Sequence, residues 1–176
     1  MTLVVMAVLL GGATVLQLVL PAFAVLAQAK PPLVLAVVMY YALNRDERWT
    51  LAAAFFGGVL LDLLDPMPPG VSSFIFCVLG FAVARLRRVM LSQSLGAAAV
   101  FTFACGIAAT LGAYVLLARG GRLWWPVGRV VWRAIATGLL GGVCGPAVYA
   151  AARGLDRLVG NIEYREVLNG IEQPLA

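Results

Sequence analysis

The stretch Gly57-Gly58-Val59-Leu60-Leu61-Asp62-Leu63-Leu64-Asp65-Pro66-Met67-Pro68-Pro69-Gly70-Val71-Ser72-Ser73 decides how this chain folds. An apolar run that begins at Trp49 takes up a carboxylate, breaks in a proline-rich turn and resumes as a second apolar run ending at Leu86. Pro66, Pro68 and Pro69 cannot sit inside a helix, because each lacks an amide donor and its ring clashes with the preceding turn. Two helices therefore meet at this turn. Asp62 lies 13 residues after Trp49, which on a straight helix is about 20 Å into a hydrocarbon layer ~30 Å thick. Asp65 follows one turn later on the same helix face. Ser72 or Ser73 is placed to N-cap the second helix. Two readings of Asp62 stand. In one it accepts hydrogen bonds from amides of the turn and fixes how the two helices meet; in the other it binds a cation, a proton or a polar ligand in transport, a common use of intramembrane acids. A transport relay usually supplies further acids, His or Lys within the membrane, and the chain has no His and one Lys, Lys30.

The rest of the sequence agrees with a lipid environment. The chain has 176 residues, 62% of them hydrophobic and 12% charged, with mean hydropathy +0.96. Soluble domains are roughly half apolar and about a quarter charged. This composition excludes a soluble enzyme, a disordered regulator and a disulfide-stapled secreted domain. The formal net charge is +5, but the charges sit in short clusters between apolar runs. That pattern orients helices in a bilayer and does not form the basic face of a nucleic-acid binder. Cys77, Cys105 and Cys144 each lie inside an apolar run with no CxxC spacing, and read as small packing residues. Ala27-Gln28-Ala29 looks like a signal cleavage site, but no basic residue precedes Lys30 and the apolar stretch is too long for a signal core. A retained first helix is expected.

Punctuation by Pro, Gly and charge divides the chain into six apolar segments, at about 3–20, 32–43, 49–64, 71–86, 92–118 and 130–152. Period-2 alternation is absent, and backbone in hydrocarbon must bond to itself, so the expected fold is an all-α integral membrane protein with a six-transmembrane-helix bundle. The second and third segments are shorter than the ~20 residues of an ordinary span. They either extend into the polar turn Asn44-Arg45-Asp46-Glu47-Arg48 or lie protected inside the bundle. Counting loop charges with the N-terminus inside gives eight Arg on the cytoplasmic side and five Lys or Arg outside, which predicts both termini in the cytoplasm. After Ala152, Leu155, Leu158, Val159 and Ile162 fall at helical spacing among charged residues. The expected organisation is a membrane domain over 1–152 and a cytoplasmic amphipathic tail over 153–176, lying on the inner leaflet or docking another protein.

Three further features bear on function. Arg129 and Arg133 stand four residues apart at the start of the sixth helix, on the same predicted side as Asp62 and Asp65, and are candidates to pair with either. Gly138 and Gly142, overlapped by Gly141 and Gly145, make GxxxG patterns, while Ala104, Ala108 and Gly112 form a small-residue row in the fifth helix. Such rows let helices approach closely, either within the bundle or around a partner's helix. Pro146 is expected to kink the sixth helix. No nucleophile–base pair, metal-ligand cluster or phosphate-cradling loop is present, so no enzyme activity and no cofactor is expected.

Gly58, Leu61, Asp62 and Gly70, followed by an apolar helix ending Ala84-Arg85-Leu86-Arg87-Arg88, resemble the MreD family of rod shape-determining membrane proteins. Those proteins are similar in length and carry a glycine four residues before the acid of a Leu-Asp pair and another eight after it. The likeness extends over roughly residues 1–160, with its specific part at 57–88; it departs at Asp65-Pro66, where the family more often has small Ser or Gly. The resemblance implies a non-enzymatic subunit of the cell-wall elongation machinery in the bacterial inner membrane. Its implied partners are MreC and, through MreC, the RodA glycosyltransferase, a class B transpeptidase and the MreB cytoskeleton. The family is also similar in fold to the substrate-binding subunits of energy-coupling-factor vitamin transporters. That similarity supplies an alternative: a subunit binding a small ligand near Asp62, Arg129 and Trp125.

Overall fold

A computed structural model describes residues 2–20, 29–64, 68–87, 95–120 and 126–158. These residues form six helices: α1 (Thr2–Val19), α2 (Leu33–Asn44), α3 (Glu47–Leu64), α4 (Val71–Leu86), α5 (Leu95–Arg119) and α6 (Val127–Leu158). Each segment expected from the sequence corresponds to one helix. The chain runs up and down. The end of α3 meets the start of α4 through Asp62, and the end of α2 meets the end of α6 through Asp156. Asp62 thus marks one end of the bundle and Asp156 the other.

α2 has 12 residues, about 18 Å of helix, which is short for a bilayer. Its sequence is apolar on every side, and Leu33 to Leu43 are all buried. It touches each of the other five helices. A helix apolar all round suits the centre of a bundle, so the short segment is the core around which the others pack. Gln17 of α1 supports its start, where the Val34 amide donates to Gln17 Oε1 at 3.2 Å. The third segment takes the other expected course: α3 begins at Glu47, within the polar turn.

Exposure is inverted relative to a water-soluble protein. Val19, Leu63 and Val143 are each more than 70% exposed, and large apolar side chains of all six helices except α2 face outward. Two helical stretches, Leu95–Arg119 and Val127–Arg157, are long and apolar enough to cross a membrane.

α6 is continuous through Pro146 and ends at Leu158. The boundary expected at 152 therefore falls inside a helix, and Ala152 and Asp156 are both buried. Asp156 is one of the charged residues that the amphipathic pattern of 153–176 puts on a polar face, whereas its register continues the buried side of α6 through Tyr149 and Ala152. Residues 159–176 lie outside the described residues.

Candidate functional site

At the Asp62 end, three residues of the quoted stretch act as one device. Gly58 and Asp62 lie four apart on α3 and are both buried, so they share the face turned to α4. At Gly58 the two helices nearly touch. A Cβ there would stand 2.3 Å from Ser73 Cα and 2.5 Å from Ser73 N, which no side chain permits. One turn further on, the Asp62 carboxylate reaches the first turn of α4. Oδ2 accepts from the Gly70 amide at 2.7 Å and Oδ1 from the Ser72 amide at 3.1 Å.

These are backbone donors that a helix start leaves without an intrahelical acceptor. A carboxylate at this position also meets the positive end of the helix dipole. Asp62 is only 6% exposed, and the two charge-assisted bonds make its burial tolerable. Gly70 takes a left-handed conformation with φ +98°, which turns its amide into place and which a residue with a Cβ resists.

The cap differs from the one expected. Neither serine is the N-cap: Gly70 occupies that position and makes no side-chain cap. Ser72 and Ser73 fall within the first turn, and Ser73 Oγ lies 3.5 Å from the Phe55 carbonyl of α3. An acid from the neighbouring helix takes over the capping role. The pairing of Asp62 with Arg129 or Arg133 is also absent, because among the described residues Asp62 makes only its two backbone contacts. Arg129 is exposed, and Arg133 is half-buried beside a cavity. Asp65 lies outside the described residues, as does Trp125. Leu61 is half-buried beside the same cavity.

The glycine rows bring α6 onto α5. Cβ atoms at Gly138, Gly141 and Gly145 would meet Ile107 Cγ1 at 2.6 Å, the Thr102 carbonyl at 3.0 Å and Thr102 Oγ1 at 2.8 Å. Gly142 has only ordinary contact with Phe103, at 3.5 Å. The matching row on α5 is Ala98, Thr102 and Gly106, all buried. The predicted row differs: Ala104 and Ala108 are exposed, and Gly112 faces Ile75 of α4. The two rows lie on different sides of one helix, and spacing alone cannot choose between them.

A second buried acid escaped the sequence reading. Asp156 Oδ2 accepts from the Tyr40 hydroxyl at 2.6 Å and from Arg45 at 3.1 Å, and Asp156 is 1% exposed. Beside it, the Tyr149 hydroxyl donates to Asn44 Oδ1 at 3.0 Å. The rings of Tyr40 and Tyr149 meet edge to face at 5.3 Å. The register of Tyr149, Ala152 and Asp156 was the signal available for it. Among the described residues, no group of His, Cys, Asp and Glu is placed to hold a metal ion.

Between these two ends lies a cavity of about 230 Å³, bordered by Lys30, Gln17 and Arg133 together with Leu35, Phe76 and Val130. Asp62 does not border it.

An all-helical bundle with apolar side chains outward and its buried acids satisfied from within defines an integral membrane protein. A family model described as rod shape-determining protein MreD matches residues 1–121. The chain belongs to the MreD family, a family of cell-shape-determining membrane proteins. No match is found among curated proteins or among solved structures. The Asp62 device lies within the matched residues; the acid of the second cluster lies beyond them.

Proposed function

We propose that this chain is a non-enzymatic scaffold of the bacterial elongation machinery, with six membrane spans and both termini in the cytoplasm. It binds the membrane helix of MreC and, through MreC, helps position RodA, a class B transpeptidase and MreB. The observation that carries this reading is the state of Asp62. Both carboxylate oxygens are taken by backbone amides of α4, so the intramembrane acid fixes a helix junction and has no oxygen free of a protein donor for cargo. A rigid bundle with outward apolar faces is what an adaptor needs. α5 offers a face for the partner helix, since its small residues Ala104 and Ala108 are exposed between Val100 and Leu111. The segment after Leu158 is the cytoplasmic tail.

Depletion in the native organism tests the class. Rounding of the cells with unchanged nutrient uptake, and co-purification of MreC, are expected. A nutrient-uptake defect with normal shape overturns the scaffold. A second reading, the vitamin-binding subunit of a transporter, draws on the cavity. At about 230 Å³ the space is below the ~300–1,000 Å³ of usual ligand pockets, and neither Asp62 nor Arg129 borders it. Uptake that depends on an ATPase module is the result that favours this second reading.

A further inference from the structure

Two arginines near the end of α6 have no task in the scaffold. Arg133 and Arg153 stand 20 residues apart with no charged side chain between them, and α6 is continuous over the whole stretch. On a straight helix that distance is about 30 Å, which matches the ~30 Å of a hydrocarbon layer. Arg153 therefore stands at the edge of the hydrocarbon, at the depth of the lipid phosphates. Arg157 follows one turn further out on the same helix face. Arg153 is half-buried and Arg157 exposed, and neither makes a hydrogen bond or ion pair with any described residue. The one acid between them, Asp156, is turned into the bundle, where Tyr40 and Arg45 hold it. The helix surface beside them is open: Ala150 and Gly154 are exposed, and a Cβ at Gly154 would meet nothing within 4 Å. Two guanidinium groups four residues apart call for a group of net negative charge, and their paired N–H donors match phosphate oxygens. A zwitterionic head answers poorly, because its ammonium brings a positive charge to the same place.

We propose that Arg153 and Arg157 hold the phosphate of one anionic phospholipid, whose acyl chains lie along the outward face of α6. The charge complementarity of an unpaired arginine pair at phosphate depth selects this occupant. The site requires that α6 cross the bilayer and is independent of MreC binding.

Native mass spectrometry of the 176-residue chain released from nanodiscs tests it. Both leaflets of the discs contain phosphatidylcholine with a tenth part phosphatidylglycerol. One phosphatidylglycerol retained per chain, well above its share of the mixture, is expected. Each arginine near a bilayer surface is worth roughly a factor of five in attraction to anionic lipid. Arg157→Gln is therefore expected to lower retention about fivefold, and combined with Arg153→Gln at least tenfold. Arg157 is exposed, so the single variant decides should the double variant fail to fold. Arg119→Gln, which removes the lone cation of α5, is expected to leave retention unchanged. Retention of the two phospholipids in proportion to the mixture overturns the proposal. So does selective retention of phosphatidylglycerol that survives Arg157→Gln. Loss of MreC co-purification in Arg157→Gln with phosphatidylglycerol still held would assign the arginine to an acidic protein segment, and overturns the proposal as well.

Discussion

Asp62 and Gly58 make opposite demands on the same contact, and substitutions separate them. Asp62→Asn keeps one acceptor oxygen for the α4 amides and loses the charge, so a destabilisation of about 1–2 kcal/mol is expected, in the range of a lost helix cap. Asp62→Ala leaves the buried Ser72 amide unpaired, at about 1–3 kcal/mol, and frees the Gly70 amide, whose residue is exposed. Gly58→Ala acts by volume, since its Cβ would strike the Ser73 backbone and force α3 from α4; it is expected to cost at least as much as Asp62→Ala. Thermal unfolding in detergent gives the order. Asn as stable as wild type would show that the carboxylate's charge is not what holds the turn. The two adjacent tyrosines at the other end give a sharper contrast. Tyr40 donates to a buried carboxylate, and Tyr40→Phe is expected to cost about 1.5–3 kcal/mol, as for a hydrogen bond to a charged group. The Tyr41 hydroxyl is buried with no hydrogen-bond partner among the described residues, so Tyr41→Phe is expected to be neutral or stabilising by the same assay.

Between helices, the sequence was most legible where chemistry is local. Proline, charge and apolar length place the helices within a few residues, except that α6 runs on past 152 to Leu158, and the Gly58–Asp62 spacing locates the α3–α4 contact because both residues sit on one face. The choice between faces was not legible. α5 carries small residues on two sides, and only the position of α6 shows that Ala98, Thr102 and Gly106 form the interior row. Asp156 was misread for a related reason. A charged residue near a chain end reads as solvated until its partners are known, and Tyr40 and Arg45 lie more than 100 residues away in sequence. The two sides of α5–α6 predict different outcomes. Gly145→Ala would bring a Cβ to 2.8 Å from Thr102 Oγ1 and 3.0 Å from its Cβ. Thr102 is β-branched and has little rotamer freedom, so overpacking of about 1–3 kcal/mol is expected. Ala108→Leu points outward and should leave unfolding unchanged, while weakening MreC co-purification if the partner helix lies on that face. Loss of bundle stability in Ala108→Leu would contradict the assigned interior face.

Across the whole molecule, the two buried acids hold opposite ends of one bundle around α2. Asp62 ties α3 to α4, and Asp156 ties α6 to both the last turn of α2 and the residue after it. The central helix is too short to reach both surfaces of a bilayer, so its polar terminus at Asn44 and Arg45 needs partners from the protein. Asp156 and Tyr149 supply them. The end of α6 therefore belongs to the folded domain, and truncation separates this from a detachable tail beginning at 153. A chain ending after Leu158 keeps Asp156 and is expected to unfold at nearly the wild-type temperature. A chain ending after Ala152 loses it. Tyr40 and Arg45 are then left without their carboxylate, and removing one partner of a buried ion pair costs about 3–5 kcal/mol. With Arg45 still partly solvated, at 18% side-chain exposure, the lower part of that range is expected. Equal stability of the two truncated chains would mean that the Asp156 cluster contributes nothing to holding α6 against α2. A shortfall confined to the shorter chain, and reproduced in the 176-residue chain by Asp156→Ala, would assign the loss to that one carboxylate.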